Sequence, residues 1–411
     1  MVKKFESQVR LFGLLRFLNT FYVYNSILVF YFSNMIKLNY TQIGIVMASY
    51  YTASILFDIP TGMIGDLIGK KKAILIGAVF QCIGIFLMGS LQTYMLLIIA
   101  HIIFALGSSF ISGSEQGLIY KLHEKHDKLD VLNRSYGKIF SASILSTIAA
   151  ALLSSVVIQY SYSVTFYISA FSNFLAVFFV CLVHEERVYE DKTGKKAFQR
   201  VRPLQIMKES FQEIRVNRQL LLFSIYYIFT AIILTSVFFQ YQPYLQHLKI
   251  SPTFFGVIYA LFGIIPLISA QLSHLIKGKY IYILNPLILA VVFLGMALTK
   301  SIWLGIVLIC LFRFNWGIII PKIQSHIDTS ITSETSRATT VSTVYSVHNL
   351  LLSMMLIISG HLIESYSIAV LLIIYSLFSL LFCLYVFIFR RSYNNTDVPS
   401  KSTLMMDSKE L

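Results

Sequence analysis

Charged residues are scarce in this chain of 411 residues: Asp, Glu, Lys and Arg together make up 13%, whereas hydrophobic residues make up 56%. A water-soluble core could not bury so much apolar surface, which excludes an ordinary soluble globular protein. The sequence also lacks a phosphate-binding loop of the type Gly-x4-Gly-Lys-Ser/Thr and a nucleophile elbow. We therefore expect no enzyme, no cofactor and no direct use of ATP.

Cysteines are few and isolated. They are Cys82, Cys181, Cys310 and Cys383, and each lies inside an apolar run. This spacing matches neither a zinc site nor a disulfide framework. We expect these cysteines to act as small apolar side chains, without a bound metal.

Long apolar runs are what the chain has instead. A helix needs about 20 apolar residues to cross ~30 Å of hydrocarbon. Twelve runs of about that length lie near 11–33, 41–65, 73–92, 94–119, 135–158, 162–184, 218–243, 252–274, 280–299, 301–322, 338–362 and 366–389. Because a helix satisfies its own backbone hydrogen bonds in lipid, the sequence predicts an all-α membrane protein with twelve transmembrane helices.

The distribution of Lys and Arg indicates the orientation. With both termini in the cytoplasm, 28 of the 33 basic residues fall on the cytoplasmic side, and Lys37, Lys249 and Lys300 fall outside. The other two, Arg16 and Arg313, lie within predicted spans. The reverse orientation would violate the positive-inside rule. The net charge of +14 is then explained by basic loops beside anionic lipid, so we expect no nucleic-acid partner.

A polar stretch divides the chain near its middle. Residues 185–217 form the longest polar segment and contain a predicted amphipathic helix at 203–216. We therefore predict an N-terminal six-helix half at 1–184, a cytoplasmic linker at 185–217, a C-terminal six-helix half at 218–391 and a cytoplasmic tail at 392–411. The loop at 273–279 looks like a degraded copy of the loop at 62–72, which supports an internal repeat.

The loop between the second and third runs carries the most specific motif. Residues 62–72 read Gly-Met-Ile-Gly-Asp-Leu-Ile-Gly-Lys-Lys-Lys. The motif resembles the loop between helices 2 and 3 of the major facilitator superfamily, and the matching positions are Gly62, Asp66, Gly69, Lys70, Lys71 and Lys72. The resemblance implies two pseudo-symmetric six-helix halves and transport by alternating access.

In that family the acid of this loop bonds across the two halves and latches one conformation. The resemblance implies that Asp66 bonds to the start of span 11, where Arg337 offers a guanidinium group. An ordinary tight turn, made possible by its glycines and flanked by cytoplasmic lysines, is the alternative interpretation.

Two acids lie inside predicted spans, where an ionisable group is costly unless it is paired or protonated. Asp58 in span 2 and Glu115 in span 4 both lie in the cytoplasmic half of the membrane, and Arg16 in span 1 lies at a comparable depth. We predict a cluster of these three charges. It either carries the proton that drives transport or forms a static salt bridge that holds spans 1, 2 and 4 together.

Further candidate residues lie deeper in the bundle. His101 stands where the superfamily commonly has Arg, so it is a candidate proton-relay group, with a neutral hydrogen-bonded histidine as the alternative. Arg313 has no acid within the membrane in its own half, so it must bind carbonyls, hydroxyls, water or an anionic substrate. Tyr24, Asn25 and Gln240 are candidate substrate contacts in an aromatic chamber.

The segments Asp58-Ile-Pro-Thr-Gly and Ser-Gly-Ser-Glu-Gln at 112–116 look like those of bacterial members usually assigned to efflux. Span 5, in contrast, lacks the Gly-Pro of drug and proton antiporters. We predict a monomeric, proton-coupled exporter of a small organic compound, such as a drug, toxin or metallophore, in the bacterial cytoplasmic membrane. Its partners are the substrate, protons and the lipid bilayer. A proton-coupled importer of a nutrient and a non-transporting membrane protein remain alternatives.

Overall fold

A computed structural model of the chain describes residues 2–184, 203–273, 275–276, 280–331 and 337–389. Within these ranges the chain is helical and contains no β-strand. The first part of the predicted linker and the predicted tail at 392–411 lie outside the described residues, as does most of the loop at 273–279. The prediction of an all-α membrane protein is confirmed.

Twelve long helices follow one another in the described residues, numbered here in chain order apart from a helix in the linker. They are α1 (Val2–Asn19), α2 (Tyr40–Ile68), α3 (Lys70–Ser90), α4 (Tyr94–Lys125), α5 (Leu132–Val157), α6 (Tyr162–Leu182), α7 (Arg218–His247), α8 (Phe255–Leu272), α9 (Ile281–Leu298), α10 (Ile302–Ser330), α11 (Arg337–Ser365) and α12 (Ile368–Ile388). Pro203–Val216 forms the linker helix, in agreement with the prediction for that segment.

Eleven of these helices, α2 to α12, are long and apolar enough to cross a membrane. The protein is therefore a multi-pass membrane protein. The predicted first span is different because α1 ends at Asn19 and is followed by short 3-10, α-helical and π-helical turns that continue to Met35. Within the described residues, the structure thus gives eleven regular spans and one interrupted segment.

Local sequence explains where α2 begins and ends. The Asn39 side chain accepts a hydrogen bond from the Gln42 amide, and the Gln42 side chain accepts one from the Asn39 amide, which together form a capping box. The helix ends at Ile68 and is followed by the C-cap Gly69, whose φ of 98° lies in the region that favours glycine. We call the side of the bundle where α2 begins the Tyr40 face, and the side where it ends the Asp66 face.

At the Tyr40 face, helices of the two halves are in close contact. A Cβ atom at Gly44 in α2 would meet the Leu356 carbonyl of α11, and one at Gly360 in α11 would meet the Tyr40 carbonyl of α2. Similarly, a Cβ atom at Gly256 would meet the backbone of α5. Small residues at these positions allow the backbones to approach, which closes the Tyr40 face.

At the Asp66 face the same helix pairs diverge. A cavity of about 420 Å³ lies between α2 and α11 and is lined by Asp58 and Thr343. A second cavity of about 530 Å³ lies among α5, α8 and α10. The linker helix packs against α11, where the Thr340 hydroxyl donates to Glu213 at 2.9 Å. The bundle is closed at the Tyr40 face and open at the Asp66 face.

Candidate functional site

The first predicted span is interrupted in the middle of the bundle, and other helices bind its free backbone groups. Near the end of α1 at Asn19, the Phe17 carbonyl accepts a hydrogen bond from Ser146 at 2.6 Å. The Leu18 carbonyl accepts one from Ser172 at 2.9 Å. Non-helical backbone is tolerated at membrane depth only where protein buries it or where it lines a cavity. The interruption therefore marks a candidate functional region.

Helix α7 of the C-terminal half holds the segment that follows the interruption. The Gln242 side chain accepts a hydrogen bond from the Phe30 amide at 2.8 Å and donates one to the Asn25 carbonyl at 3.0 Å. The Tyr241 hydroxyl donates to the Ser26 carbonyl at 2.8 Å. These three bonds join the two halves directly, within about two helical turns of the end of α7 at the Tyr40 face.

A central cavity of about 150 Å³ lies beside the interruption, between the two halves. Aromatic rings form most of its wall, and the polar groups on it are few. The residues that line the wall include Tyr24, Asn25, Tyr50, Phe104, Phe239 and Gln242. The structure thus places Tyr24 and Asn25, two of the predicted substrate contacts, on the wall of one cavity. An apolar wall with a few convergent polar groups is typical of small-molecule sites.

Arg313 lines the cavity of about 530 Å³ among α5, α8 and α10, and it is 4% exposed. Its Nη2 donates to the Phe262 carbonyl at 2.7 Å. Its Nε and Nη1 have no hydrogen-bond partner among the described residues. The guanidinium carbon lies 3.6 Å from the ring centroid of Trp316, and the rings of Phe262 and Phe238 lie 5.2 and 5.3 Å away. Aromatic faces, in place of a carboxylate, stabilise this buried cation.

The two cavities are neighbours because Phe238 contributes to the wall of both. Tyr241, on the wall of the central cavity, packs edge-to-face against Phe262 with ring centroids 4.8 Å apart. A continuous aromatic surface therefore connects Arg313 to the interrupted first span. A molecule with one anionic end and an apolar body could contact both.

Arg16 and Glu115 form an ion pair at 2.8 Å, as expected from their depth in the sequence. The pair borders a third cavity, of about 430 Å³. Asp58 is not part of this cluster, because it accepts a hydrogen bond from Ser109 at 2.5 Å and faces the cavity between α2 and α11. The prediction of a three-charge cluster is therefore corrected to an ion pair and a separate acid. Ser109 and Glu115 are six residues apart, roughly 240° around α4, and so face different neighbours.

The loop at the Asp66 face is exposed. Asp66 binds Lys70 at 2.9 Å, and the Asp66 side chain is 70% exposed. Lys71 donates to the Cys181 carbonyl of α6 at 2.7 Å. Arg337 begins α11, but its side chain lies outside the described residues, so its contact with Asp66 stays a prediction.

His101 and Gln240 have local hydrogen-bond partners. The Nδ1 of His101 donates to the Leu97 carbonyl of the same helix at 3.0 Å, and His101 borders the central cavity. Gln240 donates to Ser236 at 3.1 Å and to Tyr375 at 3.2 Å, inside the C-terminal half. Gln240 lines neither the central cavity nor the Arg313 cavity, but it borders a small cavity of about 30 Å³ between α2, α7 and α11, so its contact with substrate stays a prediction.

Gln242, which is not among the candidate residues of the sequence analysis, lines the central cavity. Gln240 and Gln242 are both glutamines of α7, and a separation of two residues turns a side chain by about 200° around a helix. The polar signal in span 7 was present in the sequence. Only the rotation of the helix in the bundle decides which of the two glutamines faces the cavity.

A family model described as Major Facilitator Superfamily matches residues 11–341 of the chain. Among curated proteins, the chain is 24% identical over 246 residues to the uncharacterized MFS-type transporter YxaM of Bacillus subtilis (strain 168), covering 59% of each protein. It is 28% identical over 139 residues to the uncharacterized transporter BU466 of Buchnera aphidicola subsp. Acyrthosiphon pisum (strain APS), covering 34% of each. The chain thus matches 59% or less of the length of these two relatives.

Solved structures share the fold at low sequence identity. The nucleoside transporter NupG is 15% identical, with a TM-score of 0.73 and coverage of 93% of this chain and 98% of NupG. A bacterial homolog of the human lysosomal transporter Spinster, in an inward-facing and unoccupied conformation, is 14% identical, with a TM-score of 0.77 and coverage of 95% and 97%. A POT family transporter in complex with 5-aminolevulinic acid is 12% identical, with a TM-score of 0.74 and coverage of 94% and 96%.

Proposed function

Because the chain belongs to the Major Facilitator Superfamily, we propose that it is a secondary transporter that exports a small organic compound by alternating access, driven by protons. On the orientation expected from the distribution of Lys and Arg, the Asp66 face lies in the cytoplasm. The conformation described above is then open to the cytoplasm and closed to the outside. The low-identity likeness to an inward-facing Spinster homolog supports this assignment at the level of the fold.

The observation that carries the substrate proposal is the surroundings of Arg313. A buried cation beside a cavity, with two guanidinium nitrogens unpartnered among the described residues, favours a substrate with an anionic group. The rings of Trp316, Phe262 and Phe238 reduce the cost of burying the charge without neutralising it. The substrate would bind Arg313 with its anionic group and extend an apolar or aromatic part along the ring surface toward Tyr24 and Asn25.

The two membrane acids supply the proposed proton coupling. Glu115 is paired with Arg16 in this conformation, so protonation of Glu115 would release Arg16 and change the contacts between α1 and α4. Asp58 faces the cavity between α2 and α11, which must change shape when the Asp66 face closes. An acid at that position would meet water in one conformation and protein in the other. His101 remains a second candidate for the relay.

The direction of transport rests on the resemblance of residues 58–62 and 112–116 to bacterial efflux proteins. Proton-coupled import of a nutrient is the alternative direction. A non-transporting role on the same scaffold is the alternative activity. The central aromatic cavity and the divergent helix pairs at the Asp66 face favour transport of a small molecule over a non-transporting role in which the protein only binds it.

The experiment that tests this proposal is a binding screen on purified protein. The panel contains aromatic monocarboxylates, aromatic phosphate esters and uncharged amides of the same molecules, and binding is detected as protection from heat unfolding. We expect an anionic compound to bind and its uncharged amide to bind at least about tenfold more weakly, since a charged hydrogen bond contributes about 1.5–3 kcal/mol. Arg313→Ala should remove that preference, whereas the exposed control Arg134→Ala should keep it. Equal binding of the anion to wild type and Arg313→Ala would contradict the proposed site.

A further inference from the structure

A carboxylate of the C-terminal half binds the first residue of α2 in the N-terminal half. Glu364, at the end of α11, accepts a hydrogen bond from the Tyr40 backbone amide at 2.9 Å. Tyr40 is the first residue of α2, where backbone amides have no partner within the helix. The bond therefore links the two halves at the Tyr40 face. A negative charge at this end of a helix is also stabilised by the helix dipole.

Glu364 is isolated as an acid at this face. The described connections at the Tyr40 face, which are 36–39, 91–93, 158–161, 248–254, 299–301 and 366–367, contain Lys37, Lys249 and Lys300 but neither Asp nor Glu. The first turn of α2 has no acid of its own. Asn39 already caps the Gln42 amide at 2.8 Å, so Glu364 supplies the second acceptor and the negative charge that this helix end otherwise lacks.

The backbones around this bond are in close contact. A Cβ atom at Gly360 would meet the Tyr40 carbonyl, and the Tyr40 hydroxyl donates to Gln246 of α7 at 3.2 Å. Glu364 lies one helical turn beyond Gly360 on α11 and so reaches the start of α2 only when the glycine contact is made. The bond forms in the closed arrangement of the Tyr40 face and must break when the two halves separate there.

We propose that Glu364 is a positioning residue that holds the Tyr40 face closed. It latches the start of α2 to the end of α11. The predicted contact of Asp66 would join the opposite ends of the same two helices in the other conformation. Because the Glu364 bond exists in one conformation only, it shifts the equilibrium toward the state that is closed at the Tyr40 face. This proposal concerns gating and depends neither on the identity nor on the charge of the substrate.

The test measures the opening of the Tyr40 face in purified, substrate-free protein in lipid nanodiscs. Spin labels at Gln92→Cys and Lys300→Cys, in a background without the native cysteines, report the distance between the halves by double electron–electron resonance. We expect Glu364→Gln to raise the ratio of open to closed populations by about two- to fivefold, as loss of a charge at an exposed helix N-terminus predicts. The control Asp127→Asn, which removes an exposed acid at the Asp66 face, should leave the ratio unchanged.

A second pair of variants changes the donor without touching Glu364. Tyr40→Pro removes the backbone amide, and proline is well tolerated at the first position of a helix after an extended residue such as Asn39. Tyr40→Leu keeps the amide and, like Tyr40→Pro, loses the phenol ring with its hydrogen bond to Gln246. We expect Tyr40→Pro to open the face more than Tyr40→Leu does, and Glu364→Gln to have a smaller effect when combined with Tyr40→Pro. An unchanged ratio in Glu364→Gln, or fully additive effects of the two substitutions, would overturn the proposal.

Discussion

Glu115→Gln separates the two interpretations of the Arg16–Glu115 ion pair. Removing one partner of a fully buried pair costs about 3–5 kcal/mol, whereas an exposed pair contributes about 1 kcal/mol or less. The Glu115 side chain is 9% exposed and the Arg16 side chain is 37% exposed, so solvent screens half of this pair. We therefore expect a loss of about 1–2 kcal/mol of stability, which lowers the melting temperature by a few degrees.

The functional effect of Glu115→Gln should be much larger than its structural effect. An amide resembles the protonated acid and cannot titrate, so proton-driven accumulation should fall at least about tenfold while substrate exchange without a gradient stays within about twofold of wild type. The assay is uptake into proteoliposomes, with and without an imposed pH gradient, of a compound that the binding screen identifies. Asp58→Asn is the matched comparison, because it also replaces a membrane acid by its amide. The amide oxygen can still accept the hydrogen bond from Ser109. Parallel loss of exchange and accumulation would refute proton coupling through Glu115 and favour a static ion pair.

Three further substitutions test the gates. Asp66→Ala should lower transport about tenfold or more while membrane insertion, measured by the amount of folded protein in the membrane, stays at the level of wild type, because the side chain is exposed in this conformation. Gln242→Ala removes two hydrogen bonds between the halves, each of about 1 kcal/mol. We therefore expect a cysteine placed at Met47, in the central cavity, to react faster with an impermeant maleimide added from outside. Gly360→Val should have the same effect by separating α11 from α2; unchanged reactivity in both variants would contradict the proposed closed face.

The regular helices were predictable because their signals are local. The length of each apolar run sets where a helix can cross the membrane, and Gly69 and the lysines after it mark the turn between α2 and α3. The interruption after Asn19 has no such signal, since neither proline nor glycine occurs between Asn19 and Asn25. It is stabilised by serines more than a hundred residues away in the chain, such as Ser146 and Ser172. A pattern read along one segment cannot show such bonds.

At the candidate site, too, the sequence pattern does not show which residues are in contact. Counting residues from the end of a span gives the depth of a side chain in the membrane, and this reasoning correctly brought Arg16 close to Glu115. The direction of a side chain depends on how each helix is rotated against its neighbours. Depth alone therefore does not show that Asp58 faces Ser109 and the cavity between α2 and α11 in place of Arg16.

The most direct test of anion transport through the Arg313 site is a comparison of wild type and Arg313→Ala in proteoliposomes. Vesicles contain a compound that binds the purified protein through its anionic group, and a pH gradient of either sign is imposed. We expect saturable movement of the compound against the direction of proton flow in wild type and a loss of at least about tenfold in Arg313→Ala. Gradient-driven movement that is equal in both proteins would contradict the role of Arg313, and binding without any transport in wild type would contradict the proposed function.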